Sequence, residues 1–216
     1  MEYVVDVYWS MRSPFCYLAL DRILALEKEP DITVVIKHVW PGAMRSKGYF
    51  KTLNPNYPDY HTRDASRLAE FLNIPYARPR PDPLVFEKKT MEPLALVEQP
   101  HIGQLTRMAV LAVEKGVGTT YLDTVMRLIW NGTQENWHEG NHLARAVRAA
   151  GLDFKELTVR AETEANRLDS IIDKNNDNLS SVGHWGVPCS VFRGEPFFGQ
   201  DRLALLNWRL DQVRKH

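Results

Sequence analysis

The junction between Trp9 and Tyr17 constrains this chain more than any other stretch. A nearly unbroken apolar run, Tyr3-Val4-Val5-Asp6-Val7-Tyr8-Trp9, is followed after Ser10-Met11-Arg12 by Ser13-Pro14-Phe15-Cys16. Such a run reads as a strand buried on both faces of a parallel or mixed sheet. Ser at an N-cap and Pro at the first helical position then open a helix, which Phe15, Leu18, Ala19, Ile23 and Leu26 carry until it stops by Pro30. Free backbone N–H groups and the positive end of the helix dipole therefore lie beside the Ser13 hydroxyl. That arrangement favours an anion, whether phosphate, carboxylate or thiolate. Ser-Pro by itself also describes an ordinary capped helix, so the function must be argued from what else surrounds it.

The β-branched run Ile32-Thr33-Val34-Val35-Ile36 predicts a second strand, and Tyr3 to Ile36 reads as one βαβ unit with a right-handed crossover. Residues 41–58 are rich in turn formers (Gly42, Gly48, Asn54, Pro55, Asn56, Pro58) and read as an irregular loop carrying Lys51 and Asn54, placed after a strand where ligands are commonly met. A helix is expected over Thr62 to Leu72. Pro75, Pro79, Pro81 and Pro83, interleaved with Arg78 and Arg80, then give a stiff extended spacer. From His101 to about Asp177 the apolar spacing is helical throughout, with stops at Gly116, Gly132 and Gly151. β character returns at Pro188-Cys189-Ser190-Val191-Phe192, turns at Arg193-Gly194-Glu195, and resumes at Phe197-Phe198. Gly199-Gln200-Asp201-Arg202 opens a terminal helix. A βαβ start, a helical insertion and a ββα finish define an α/β, thioredoxin-like fold: residues 1–60 and 178–216 as a discontinuous thioredoxin-like domain, residues 61–177 as an inserted all-helical domain.

Charge excludes several partners. Lys plus Arg and Asp plus Glu both number 27 in 216 residues, so no global field exists to hold a nucleic-acid backbone or an anionic membrane. The start, Met1-Glu2-Tyr3-Val4, has no secretory pattern, and two cysteines, Cys16 and Cys189, are too few for a disulfide framework; both point to a reducing cytoplasm. Seven histidines show no metal-ligand spacing, so no metal is expected. Ser13 does not sit in a Gly-x-Ser-x-Gly turn, which argues against a Ser-His-Asp hydrolase. Trp9, Trp40 and Trp185 fall near the ends of the expected strands and are candidates for an aromatic pocket wall.

Two motifs in order, Ser13-Pro14-Phe15-Cys16-Tyr17-Leu18-Ala19 and Gly186-Val187-Pro188 with Phe198-Gly199-Gln200-Asp201-Arg202-Leu203, carry a resemblance to the 2-hydroxychromene-2-carboxylate isomerases and the kappa-class glutathione transferases, relatives of the periplasmic disulfide oxidoreductases. The resemblance implies glutathione as cofactor. Ser13, flanked by Pro14 and Phe15, would hold the glutathione sulfur as thiolate. Val187 would pair its backbone with the cysteinyl unit beside a cis Pro188, and Gln200 and Asp201 would take the γ-glutamyl end. Asn54 matches a family asparagine, and Lys51, with Trp40 and Trp185, would face a small aromatic carboxylate substrate. A homodimer is implied as well.

One departure matters chemically. In disulfide-exchange relatives both ends of the four-residue motif are cysteine, because one thiolate attacks and a second thiol resolves the mixed disulfide. Here Ser13 occupies the attacking position. The reading reached is a glutathione-dependent isomerase of an aromatic-degradation route. A kappa-like transferase and a redox-inactive peptide-binding or chaperone module are the alternatives.

Overall fold

The computed structural model describes residues 2–46 and 48–215; Met1, Lys47 and His216 lie outside the described residues. Four strands form one sheet. β1 (Tyr3–Trp9) pairs in parallel with β2 (Ile32–His38) and antiparallel with β3 (Cys189–Phe192), and β3 pairs with β4 (Glu195–Phe198), giving the order β2-β1-β3-β4. A parallel neighbour needs a crossover, and α1 (Pro14–Glu27) supplies it. Burial on both faces of β1 holds except at Val4, which is 51% exposed, and at half-buried Asp6. The β3–β4 turn uses Arg193 and Gly194, both at positive φ (51° and 81°), as a two-residue hairpin demands.

The loop expected over 41–58 is more ordered than its turn residues suggest. It holds two single-turn helices, α2 (Gly42–Arg45) and α3 (Tyr49–Thr52), before α4 (Tyr57–Phe71), which starts five residues earlier than its apolar face indicated. The proline-rich stretch is not a free spacer. Tyr17 donates its hydroxyl to the Pro75 carbonyl at 2.6 Å, Ala77 N–H bonds the Trp130 carbonyl at 2.7 Å, and Arg12 forks onto Asp82 with two 2.7 Å bonds.

The helical segment comprises α5 (Ile102–Glu114), α6 (Gly118–Trp130), α7 (His142–Ala149), α8 (Phe154–Thr163) and α9 (Ala165–Ser181). It packs on the sheet side through α6 against α1 and through α5 and α9 against β2. Ile23 of α1, Ile36 of β2, Met108 of α5 and Val125 of α6 all belong to one continuous apolar cluster. Sheet and helical insertion are therefore joined by a shared core. The chain ends in a 3₁₀ turn at Gln200–Arg202 leading into α10 (Leu203–Arg214), so the terminal helix starts at Leu203 rather than at Gln200.

His38, at the end of β2, is 1% exposed and neither ring nitrogen has a hydrogen-bond partner among the described residues. Burial alone pushes its pKa down to about 3. In the unfolded chain the same ring titrates near about 6.5. Between those values the unfolded state binds the extra proton, so this residue's contribution falls as pH drops, by about 1.4 kcal/mol per pH unit. His38→Leu should lose stability less steeply than the wild type on going from about pH 6.5 to about pH 4.5, as read by urea denaturation, with the two curves running parallel near neutrality.

Candidate active site

Sheet order decides where a site can form. The chain leaves β1 at Trp9 and reaches Ser13 four residues later, so Ser13 stands at the carboxyl end of an interior strand. β3 is antiparallel, with Cys189 opposite Tyr8, and Phe198 at the end of β4 lies opposite Cys189. Both ends of the hairpin thus come to the same edge as Ser13. The loop after β2 arrives from the other side. Between these two walls lies a cavity of about 960 Å³ lined by Ser13, Pro14 and Phe15 at its floor.

Ser13 caps α1: its Oγ accepts the Cys16 N–H at 3.2 Å, with Ser13 itself in extended geometry (φ −92°, ψ 120°). A hydroxyl oxygen that already accepts keeps its proton to donate. Phe15 N–H, in the first turn, has no intrahelical acceptor. Neither thiol of the chain competes for this place. Cys16 is fully buried, and desolvation, only partly offset by its polar neighbours, pushes it up to about 12; burial pushes Cys189 to about 11. Both are free and neutral at physiological pH.

The β3/β4 wall is held by backbone bonds. The Val187–Pro188 peptide is cis, as expected from the resemblance, and Pro188 is buried just behind Val187, which lines the cavity. The Pro188 carbonyl accepts Gly199 N–H at 2.8 Å, tying the two ends of the hairpin together. Gly199 has φ +98°, and a Cβ there would lie 2.6 Å from Asp201 Oδ1. Gln200 and Asp201 follow and line the cavity. Arg22, which sequence reasoning passed over, reaches from α1 to donate to the Gln200 carbonyl at 2.8 Å and to Gln200 Oε1, leaving the amide Nε2 as donor. Asp201 is exposed, with Arg202 2.6 Å away. Trp185 stands 72% exposed on this wall; His184 stacks with it at 4.6 Å and with Phe198 at 4.1 Å, and accepts Gly186 N–H on Nδ1 at 2.9 Å. A Cβ on Gly186 would lie 2.3 Å from the Phe198 ring, so any larger residue there would displace that ring.

The β2 wall differs from expectation. Lys51 is paired with Glu92 at 3.3 Å and Asn54 folds its Oδ1 onto Asn56 N–H at 3.0 Å; neither lines the cavity. Trp40 is buried, and its Nε1 donates to Asp173 at 2.9 Å, so it is a packing residue. Trp9 is fully buried too. The wall is instead built from Arg45, Tyr49, Phe50 and Tyr57, with His61 near the floor. His61 packs edge-on to Phe15 at 5.0 Å, and burial with Arg78 and Arg12 nearby lowers its pKa, keeping it neutral. The aromatic density of 49–60 was the available signal, hidden by the turn formers between those residues. Among the described residues no cluster of ligands suited to a metal exists, and no helix is long and apolar enough to cross a membrane.

Comparison with known proteins agrees with this architecture. Residues 4–211 match the DsbA-like thioredoxin domain, and the chain belongs to that family. Among solved structures it is similar to a 2-hydroxychromene-2-carboxylate isomerase (TM-score 0.70, 19% identity, 98% of this chain and 96% of that one). It is also similar to a probable DsbA oxidoreductase from Streptomyces coelicolor (0.67, 16%, 100% and 91%). A third is the cytosolic disulfide reductase DsbM from Pseudomonas aeruginosa with GSH (0.59, 14%, 96% and 99%). No curated protein sequence matches.

Because burial holds both thiols neutral and enclosed, a thiol reagent such as Ellman's should label neither Cys16 nor Cys189 in the native protein at neutral pH. Both should react after unfolding in guanidinium.

Proposed function

We propose that this chain is a glutathione-dependent isomerase acting on a 2-hydroxychromene-2-carboxylate-like aromatic compound. The observation that carries the reading is Ser13: a hydroxyl with a free proton at the opening of α1, where thiol-exchange relatives need a reactive cysteine, in a chain whose own thiols stay protonated near neutral pH. A disulfide-exchange role is disfavoured for the same reason. The thiolate must come from outside, and the cavity has complementary groups for the rest of such a ligand.

Glutathione, when bound, would supply a nucleophilic thiolate capable of reversible addition to a conjugated double bond, chemistry that consumes neither oxidant nor reductant. The residues of the chain bind and orient. Ser13 donates its hydroxyl proton to the sulfur, and the first turn of α1 adds Phe15 N–H and the dipole. Val187 offers its backbone beside the cis bond, while Gln200 Nε2 and the Asp201 carboxylate suit a carboxylate and an ammonium respectively. Trp185 offers a flat face to an aromatic ring. A transferase would share every one of these groups and differ only in leaving the sulfur on the product, so recovery of free glutathione with a product of unchanged mass supports isomerisation.

A hydrogen bond to a charged acceptor contributes about 1.5–3 kcal/mol, which at about 1.4 kcal/mol per unit corresponds to roughly one to two pKa units. Ser13→Ala should raise the bound thiol's pKa by about one unit and reduce turnover, with glutathione affinity within a few-fold because the γ-glutamyl end is held elsewhere. Ultraviolet titration of the thiolate in both complexes measures this, and identical midpoints would remove Ser13 from the chemistry.

Ser13→Cys recreates a Cys-Pro-Phe-Cys motif and should confer disulfide reductase activity that the natural chain lacks. A folded variant inert towards every test disulfide would show that Ser13 and Cys16 are not disposed for exchange. The dimer implied by the resemblance is likewise a proposal, and sedimentation at micromolar concentration decides it.

A further inference from the structure

Four arginines border the cavity: Arg12, Arg45, Arg67 and Arg78. Arg12 is forked onto Asp82 with two 2.7 Å bonds, and Arg67 is paired with Asp64. Arg78 is solvent-exposed and touches only Thr62 Oγ1 at 3.4 Å. Arg45 alone is both drawn into the wall and left without a carboxylate within 4 Å among the described residues. Its Nε donates to the Trp40 carbonyl at 2.9 Å, which fixes the plane of the guanidinium, and no other bond from the group is formed among the described residues. Desolvation accordingly lowers its pKa, yet an arginine remains charged. A partly buried cation with its Nη edge unused and a cavity in front of it calls for an anion, and a planar fork matches a carboxylate.

Position separates this anion from glutathione. Val187, Gln200 and Asp201 lie on the β3/β4 side of Ser13, whereas Arg45 lies on the β2 side, with β1 between. Tyr49, Phe50 and Tyr57 flank Arg45 on that wall and form an apolar, aromatic surround. The cavity, about 960 Å³, stands at the upper end of the ~300–1,000 Å³ usual for small-molecule sites, so two ligands can share it. We infer that Arg45 binds the carboxylate of the second substrate, a flat conjugated acid lying along the β2 wall with its reactive carbon turned towards Ser13. The identity of that acid rests on the isomerase reading; the carboxylate contact does not.

The test uses the full chain and two probes that differ only in charge, cinnamate and cinnamamide, titrated calorimetrically with and without glutathione. The wild type should prefer cinnamate, and Arg45→Gln should weaken cinnamate by about ten- to a hundredfold, as expected for loss of charge-assisted hydrogen bonds, while cinnamamide stays unchanged. Arg45→Lys, which keeps the charge but not the fork, should fall between the two, and serves if Arg45→Gln does not fold. Ser13→Ala should leave cinnamate affinity intact. No preference for cinnamate in the wild type, or equal loss of both probes in Arg45→Gln, would overturn the assignment. So would a loss of glutathione affinity with cinnamate unaffected, which would place the glycyl carboxylate of glutathione on Arg45 instead. A wild type that binds cinnamate through Arg45 but ignores glutathione would sink the isomerase reading and leave this one standing.

Discussion

The structure depends on the placement of β1 between a parallel and an antiparallel neighbour. That single pairing pattern brings the start of α1, the loop after β2 and both ends of the β3–β4 hairpin to one edge of the sheet. The register does the rest: Cys189 opposite Tyr8 sets the cis Pro188 beside the Ser13 turn, and Phe198 opposite Cys189 returns the chain to the same edge, where Gly199 bonds the Pro188 carbonyl. A one-residue slip in the β1–β3 ladder would turn Val191 and Phe192 to opposite faces and move the Val187 backbone out of the cavity. Cavity geometry and core packing are therefore fixed by the same hydrogen bonds.

Desolvation shifts an ionisable group with the sign that its charge dictates. It raises the Cys16 and Cys189 thiols and lowers His38, His61 and Arg45. Thiols and imidazoles respond by staying neutral, which makes the two cysteines and the buried His38 packing elements. An arginine cannot respond in that way. It keeps its charge and needs an anion, so the environment that silences the chain's own sulfur also prepares the site for charges carried by ligands.

The strands, the α1 junction and the long helices were legible because each depends on local signals: β-branched runs, Ser-Pro before an apolar period, glycine after it. The positions of Ser13, Val187, Gln200 and Asp201 on the cavity wall were legible for the same reason, since each sits at an element boundary marked by Pro or Gly. α8 carries the weakest periodic signal of the helical segment because its buried stripe is only Leu157 and Ala161; its clearest sign, Asp153 accepting Glu156 N–H at 2.8 Å, is a cap that resembles a turn in sequence. The β2 wall was misread for a different reason. Lys51 and Arg45 are six residues apart in one turn-rich loop, and nothing in their neighbours' identities says which faces the sheet edge. Glu92, from a distant loop, takes Lys51, and the Trp40 carbonyl takes Arg45. Tertiary partners decided the matter, and no periodicity encodes them.

The two walls differ in how rigidly they are made, and this bears on selectivity. The β3/β4 wall is cross-tied by Gly199 to Pro188, by Arg22 to Gln200 and by the His184 stack, so its donors are set before any ligand arrives. Preorganisation of that kind favours one ligand of fixed shape. On the β2 side Phe50 and Tyr57 are more than a third exposed and meet their neighbours through ring edges. Apolar contacts of that sort separate ring systems by only about 1–3 kcal/mol per methylene. A charged group fixed by the Trp40 carbonyl discriminates more sharply, because an uncharged analogue leaves the guanidinium desolvated and unpaired. The β2 wall is thus built to be strict about charge and tolerant of ring shape.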